Sequence, residues 1–243
     1  MDSAYRPRSY RHWIKDRDLV SFNATIRETD LYVRAERNLE ARALEAIDRC
    51  RTPLEQYIET HPVFLSTLEP CSVEADAATI VRDMARAAQI VGVGPMAAVA
   101  GAIAETVGKS LLAYSSEIIV ENGGDIFMKI SKTRLIGIYA DKSPLSGKIA
   151  LEISPDETPL GICTSSGTVG HSLSLGTADA VIVLSGSAAL ADAAATAIGN
   201  SVKRIEDIDV AIEQAQIING LTGAVIIKDD RIGLWGKVKI SSL

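Results

Sequence analysis

The stretch Ile118–Ile130, IIVENGGDIFMKI, decides the fold. Two strand-like apolar runs are joined there by a glycine pair flanked by Asn122 and Asp125. Asn-Gly is the strongest short signal for a β-hairpin, because a tight two-residue turn needs positive φ at its central positions. A turn without β-carbons also lets backbone amides approach a phosphate or a flat ring, with Asp125 beside them as an acceptor or metal ligand. Both readings predict an antiparallel strand pair. They differ in whether Asn122, Gly123, Gly124 and Asp125 only connect the strands or also bind something.

Outward from this hairpin the pattern is mixed. On its N-terminal side, LVSFNATIRETDLYVRAE alternates apolar residues on both sides of Glu28-Thr29-Asp30, predicting a strand pair. LEARALEAIDRCRTPLEQYIETH then repeats apolar residues at steps of three and four, a helix with a kink or break expected at Pro53. PVFLSTLEP reads as a loop, and two further helices are predicted by VEADAATIVRDMARAAQI and GPMAAVAGAIAETVGKSLLAY, the second with Pro95 in its first turn.

On the C-terminal side, RLIGIYA, KIALEIS, PLGICTSSG and DAVIVLS read as strands, AALADAAATAIGNSV and DIDVAIEQAQII as helices, and GAVIIKDDRIGLWG as a hairpin. The order strands, two helices, hairpin occurs in both halves, with ADAAT (Ala75–Thr79) and ADAAAT (Ala191–Thr196) expected at corresponding helix starts. The expectation is an α+β fold in a single domain over residues 1–243. It would be built from two ββααββ pseudo-repeats, about 18–131 and 132–243, as antiparallel sheet with helices packed on one face.

Composition bounds the function. The chain of 243 residues is 47% hydrophobic and 23% charged, an ordinary globular balance with enough length for a full core. A net charge of −6 gives no electrostatic footprint for nucleic acid, and YRPRSYRHWIKDR is too short and mixed to reverse it. The N-terminus shows no apolar leader, and the longest uncharged stretch, IVGVGPMAAVAGAIA, is about 15 residues against the ~20 that span a bilayer. A cytoplasmic protein with no membrane partner is expected. Cys50, Cys71 and Cys163 have no CxxC spacing, and His12, His61 and His171 form no HExxH, so neither a disulfide framework nor a zinc motif is present.

Two further segments carry chemistry. CTSSGTVGHS, Cys163–Ser172, follows a strand and offers N–H groups and hydroxyls suited to an anion or nucleotide phosphate, with Thr164, Ser165, Ser166 and Gly167 at its start. An ordinary polar loop would have the same composition. In ADAAATA, Asp192 and Thr196 stand four apart on one helix face, a carboxylate and a hydroxyl that can share a hard cation such as Mg2+; the simpler alternative is an acid in a first helical turn and a threonine bonded back along the helix. Cys163 and His171 bracket the same loop as a conceivable nucleophile pair, though a small buried cysteine is usually core. Cys71, beside Pro70, could have its pKa lowered by a following helix N-terminus.

These segments, as VAGAIAE, ENGGDI, CTSSGTVGH and ADAAAT in this order, resemble the ApbE-like superfamily, founded on FAD:protein FMN transferases. ETDL, GVGPMAAVAGAIAE, VENGGD and TSSGTVGHS resemble more closely an uncharacterised family of that superfamily found in archaea and bacteria, nearly end to end. The resemblance implies intertwined T-fold repeats. It implies Mg2+ on Asp192 and Thr196, FAD or FMN approached by Gly123, Gly124 and Asp125, and a TSG loop at Thr164, Ser165 and Gly167. His171 matches the transferases' histidine, but their H-x-x-x-P-x-TG continuation is replaced by HSLSLGTAD. Their G-x-x-K-G lysine has no counterpart in AGAIAETVG, which carries Glu105.

The closer family also has a link to sulfide assimilation and homocysteine formation, which would make Cys163 a thiolate or persulfide carrier, its pKa depressed by loop N–H donors and a nearby cation. Three functions are therefore expected to compete: a flavin- or nucleotide-binding protein, a sulfur-handling protein, and a partner-binding protein whose site has decayed. An exposed sheet edge or helix layer would allow a homodimer.

Overall fold

The computed structural model describes residues 11, 18–167 and 175–243. In chain order, strands β1 (Val20–Ile26) and β2 (Thr29–Ala35) lead to helices α1 (Glu40–Thr60), α2 (Val63–Ser66), α3 (Thr79–Val91) and α4 (Val99–Leu111). Strands β3 (Ile118–Asn122), β4 (Asp125–Lys129), β5 (Arg134–Gly137), β6 (Ile149–Ile153), β7 (Leu160–Ser165) and β8 (Ala180–Ser185) follow. Helices α5 (Ala188–Ser201) and α6 (Ile208–Ile217) then precede β9 (Leu221–Lys228), β10 (Arg231–Gly236) and β11 (Ile240–Ser242).

Eight strands form one antiparallel sheet in the order β1-β2-β3-β4-β7-β8-β9-β10. Four come from each half, and in each half the helices are inserted between the second and third strand of its four. The hairpin is where the sequence places it. Asn122 pairs with Asp125, and Gly123 and Gly124 take φ of 69° and 110°, the left-handed pair that a two-residue turn demands.

Side chains alternate across the strands, so the sheet has two apolar faces. Leu31, Val33, Val120, Phe127, Cys163, Val183 and Ile226 point into one core with the helices. Ile119, Ile126, Met128, Ile162, Ile182 and Val225 point into a second core. That second core is closed by a small sheet, β11-β6-β5, which the sequence reading did not anticipate. The expected helix layer on one face is present, and the other face is covered as well.

Several local expectations are corrected. Helix α1 runs unbroken through Pro53. PVFLSTLEP contains the short helix α2, which buries Phe64. The two ADAA strings are not equivalent: α3 begins at Thr79, after the first, whereas α5 begins at Ala188, before the second. No single helix among the described residues is long and apolar enough to cross a membrane; α3 and Pro95–Leu111 would be so only together, and they meet at 105°.

Candidate functional site

Helix α5 is alanine-rich and buried almost all round. From Ala188 to Asn200 only Asp192, Thr196 and Asn200 are partly exposed, a stripe at intervals of four on one face. Small side chains permit this deep seating. A β-carbon on Gly101 of α4 would lie 2.2 Å from the Ala188 carbonyl oxygen, and one on Gly161 of β7 would lie 2.4 Å from the Ala188 Cα. Helix α5 is thus pressed against both α4 and the sheet, with its polar stripe at the sheet's end.

The hairpin, α4 and α5 are joined through one peptide group. Asn122 Nδ2 donates to the Ala100 carbonyl at 3.1 Å, and the Gly101 N–H donates to Asp192 Oδ2 at 2.8 Å. Asn122 therefore anchors the turn to α4. On the next strand, Asp125 Oδ1 accepts the Thr164 N–H at 3.1 Å, tying the hairpin to the end of β7. The glycine turn is also held from its outer side: the Gly124 N–H donates to Glu121 Oε1 at 2.7 Å, while Arg11 Nε lies 2.6 Å from Glu121 Oε2.

Two carboxylates sit at this corner, Asp125 buried and Asp192 partly exposed. Burial pushes the Asp125 carboxyl up to about 7, against the Thr164 N–H, which favours its ionised form; the Glu121 charge adds to the rise. Burial likewise raises Asp192 well above the carboxylate range, with the Asp125 charge next in effect and the Gly101 N–H opposing it. Both carboxyls therefore favour a proton or a nearby cation.

Thr164 and Ser165 close β7, and Ser166 and Gly167 follow, partly or fully exposed. Gly167 is fixed by its N–H to the Ala178 carbonyl at 2.9 Å, and a β-carbon there would meet the Gly176 oxygen at 2.2 Å. On the returning limb, Asn200 Oδ1 accepts the Leu175 N–H at 2.8 Å. The Asn200 end of the α5 polar stripe thus meets the returning limb of this connection. His171 lies outside the described residues.

The expected lowering of the Cys163 and Cys71 thiols is reversed. Cys163 belongs to β7, is fully buried, and donates from Sγ to the Ala188 carbonyl at 3.3 Å. Burial, with the Asp125 and Asp192 charges behind it, pushes its thiol well above the ordinary value, the reverse of the expected depression. Cys71 is also raised by burial rather than lowered. Cys50, Cys71 and Cys163 are all free thiols.

Glu105, in the stretch that departs from the transferase pattern, has a clear position. Its Oε2 accepts from the Ala188 N–H at 2.7 Å, the Ser187 hydroxyl at 3.1 Å and the Ala189 N–H at 3.3 Å, while Lys109 Nζ lies 2.7 Å from Oε1. It caps α5 from α4. Sequence reasoning missed this, and it missed Gly101 and Asn200, although Asn200 stands one turn beyond Thr196 on the same face. Among the described residues no group of three or more His, Cys, Asp or Glu side chains gathers at metal-ligating spacing.

An eight-stranded antiparallel sheet with helices on one face, carrying ENGGDI, TSSG and ADAAAT at one end, defines an ApbE-like protein. The fold is similar to the flavinyl transferase ApbE of Pseudomonas stutzeri in its apo form, with a TM-score of 0.54 at 13% identity over 90% of this chain and 94% of that one. It is also similar to the ApbE protein of Thermotoga maritima, with a TM-score of 0.57 at 10% identity over 88% and 96%. Within this class the chain belongs to the family described as AbpE bacteria, whose model matches residues 11–224. Relatives include UPF0280 proteins of Methanocaldococcus jannaschii, 42% identical over 232 residues (93% of this chain, 92% of that one), and of Methanocella arvoryzae, 43% identical over 214 residues (88% and 87%). The expected place in an ApbE-like family holds.

Proposed function

We propose that the protein binds a flavin or other nucleotide by its phosphates at this corner, with Mg2+ held by Asp192 and Thr196. The observation that carries the reading is the partly exposed stripe Asp192-Thr196-Asn200 on an otherwise buried helix, with the buried Asp125 carboxyl beside it. A bound Mg2+ would supply neutralisation of phosphate charge. It takes hard oxygen ligands, commonly one or two carboxylates completed by waters and phosphate, and a carboxylate with a hydroxyl one turn away fits that habit.

The chain's own residues have separable tasks in this reading. Asp125 and Asn122 hold the glycine turn against β7 and α4, keeping the exposed backbone of Gly123 and Gly124 at the rim. Ser165 and Ser166 present hydroxyls to the ligand. The activity in the name of the similar Pseudomonas stutzeri protein makes flavins the first ligands to try. Cys163 is a packing residue here, and its burial weighs against a sulfur-carrier role.

The test is thermal unfolding with FAD, FMN, ADP, ATP or phosphate, each with and without Mg2+. A ligand at a hundred times its Kd stabilises by about 2.7 kcal/mol, which for a chain of this size raises Tm by roughly 5–10 °C. The expected result is a Mg2+-dependent rise with a flavin nucleotide that Asp192→Ala abolishes. A flat panel overturns the proposal.

A further inference from the structure

We propose that Glu105 is the positioning residue of this site: reaching from α4 into the first turn of α5, it sets where Asp192 stands. The inference rests on the reading of Asp192 as a site carboxylate, but its geometry is independent of any ligand.

The two helices are joined by two polar rungs. On α4 they start from Gly101 and Glu105, four residues apart; on α5 they end at Asp192 and Ala188, also four apart. Gly101 meets the later residue of α5 and Glu105 the earlier, so the rungs run antiparallel and are spaced by just over one helical turn, about 6 Å. A rod held at one point can rotate or slide; held at two points a turn apart it can do neither. The Glu105 rung is the stronger by count, since one carboxylate oxygen takes two backbone N–H groups and a hydroxyl.

The chemistry suits the place. The first N–H groups of a helix lack partners within it and carry the positive end of its dipole, so an anionic acceptor is favoured there. Glu105 is nearly buried, with 12% of its side chain exposed, and the exposed Lys109 lies beside its other oxygen, a surface pair of little weight. These amides are therefore already occupied by the protein's own carboxylate.

The test is hydrogen exchange at the Gly101 amide, which reports its bond to Asp192. Each variant is normalised to a core-strand amide such as Phe127, so that a general loss of stability cancels. Glu105→Ala is expected to speed Gly101 exchange roughly tenfold, the loss of about one charge-assisted hydrogen bond. Glu105→Asp, one methylene too short to reach α5, is expected to do the same and carries the test if the alanine variant does not fold. Glu105→Gln keeps an oxygen acceptor and recovers most of the protection; Lys109→Met leaves it unchanged. A Gly101 amide as protected in Glu105→Asp as in the unaltered protein overturns the proposal. FAD and Mg2+ are read separately: a Tm rise in the unaltered protein should shrink in Glu105→Asp and persist in Glu105→Gln. If the unaltered protein shows no rise, the nucleotide reading falls and Gly101 exchange still decides the role of Glu105.

Discussion

Replacing Gly101 by alanine sets two effects against each other. In a helix interior alanine is favoured over glycine by about 1 kcal/mol, so propensity alone predicts a more stable protein. The structure predicts the opposite. The new β-carbon would stand 2.2 Å from the Ala188 oxygen and 2.8 Å from both the Ala188 carbonyl carbon and the Asp192 Cβ. The nearest atoms are backbone, so relief requires α4 and α5 to part by about 1 Å. Overpacking of this kind costs ~1–3 kcal/mol, and stretching the Gly101–Asp192 hydrogen bond adds ~1–2 kcal/mol. After the propensity gain the net loss is about 2 kcal/mol, a fall in Tm of roughly 4–8 °C.

Gly199→Ala in α5 is the matched control. Its β-carbon would come no nearer than 3.5 Å to Ser165 Oγ, an ordinary contact, so this variant should be neutral or gain up to about 1 kcal/mol. Urea denaturation followed by circular dichroism measures both. If Gly101→Ala is as stable as Gly199→Ala, the close helix contact on which the site is built is wrong.

Two other expectations concern protons and thiols. Because the Asp125 carboxyl is pushed up to about 7 by burial, the folded form binds its proton more tightly than the unfolded chain does. Its contribution is fully present below the unfolded value near 4 and is lost as pH rises toward 7. Without divalent cation, stability should therefore fall across that window by an amount on the order of a few kcal/mol, and Asp125→Asn should flatten the fall; parallel profiles for the two proteins would contradict it. In native protein at neutral pH, Cys163 should react with a disulfide reagent far more slowly than free cysteine, with the partly exposed Cys71 reacting first. Peptide mapping that finds Cys163 labelled first would count against its burial.

The sequence made much of the frame legible because its local signals were strong. Asn-Gly-Gly-Asp could only be a tight turn, and GAVIIKDDRIGLWG pairs as read, with Asp229 taking a left-handed φ of 55° at its turn. RLIGIYA and KIALEIS were read as strands, but not as a sheet of their own, and β11, only three residues long, is too short to show alternation. Cys163 was read at the head of a loop because hydroxyl residues follow it. Its burial is set by Ala188 and the two aspartates, residues 25 or more positions away in the chain. Glu105 was noticed only as a departure from the transferase pattern, because a single glutamate between Ala104 and Thr106 on a helix has the pattern of a solvated face. Asp192 and Thr196 were found by spacing, but their significance comes from the burial of every other α5 side chain between Ala188 and Gly199, which only packing reveals.

The apolar character of both sheet faces has a consequence for how the chain finds its alignment. β3, the first four residues of β4, and β8 are buried along their length, so in their apolar stretches, Ile118–Val120, Ile126–Met128 and Ala180–Leu184, a slip of one residue would exchange one greasy side chain for another with little hydrophobic penalty. What forbids the slip is the polar hardware at the strand ends: the glycine turn, Asn122 on Ala100, and Asp125 on the Thr164 amide. These residues act as index marks for the sheet. A version of the protein with that corner stripped to alanine should keep its compactness and much of its heat resistance, yet lose its single well-dispersed set of amide resonances.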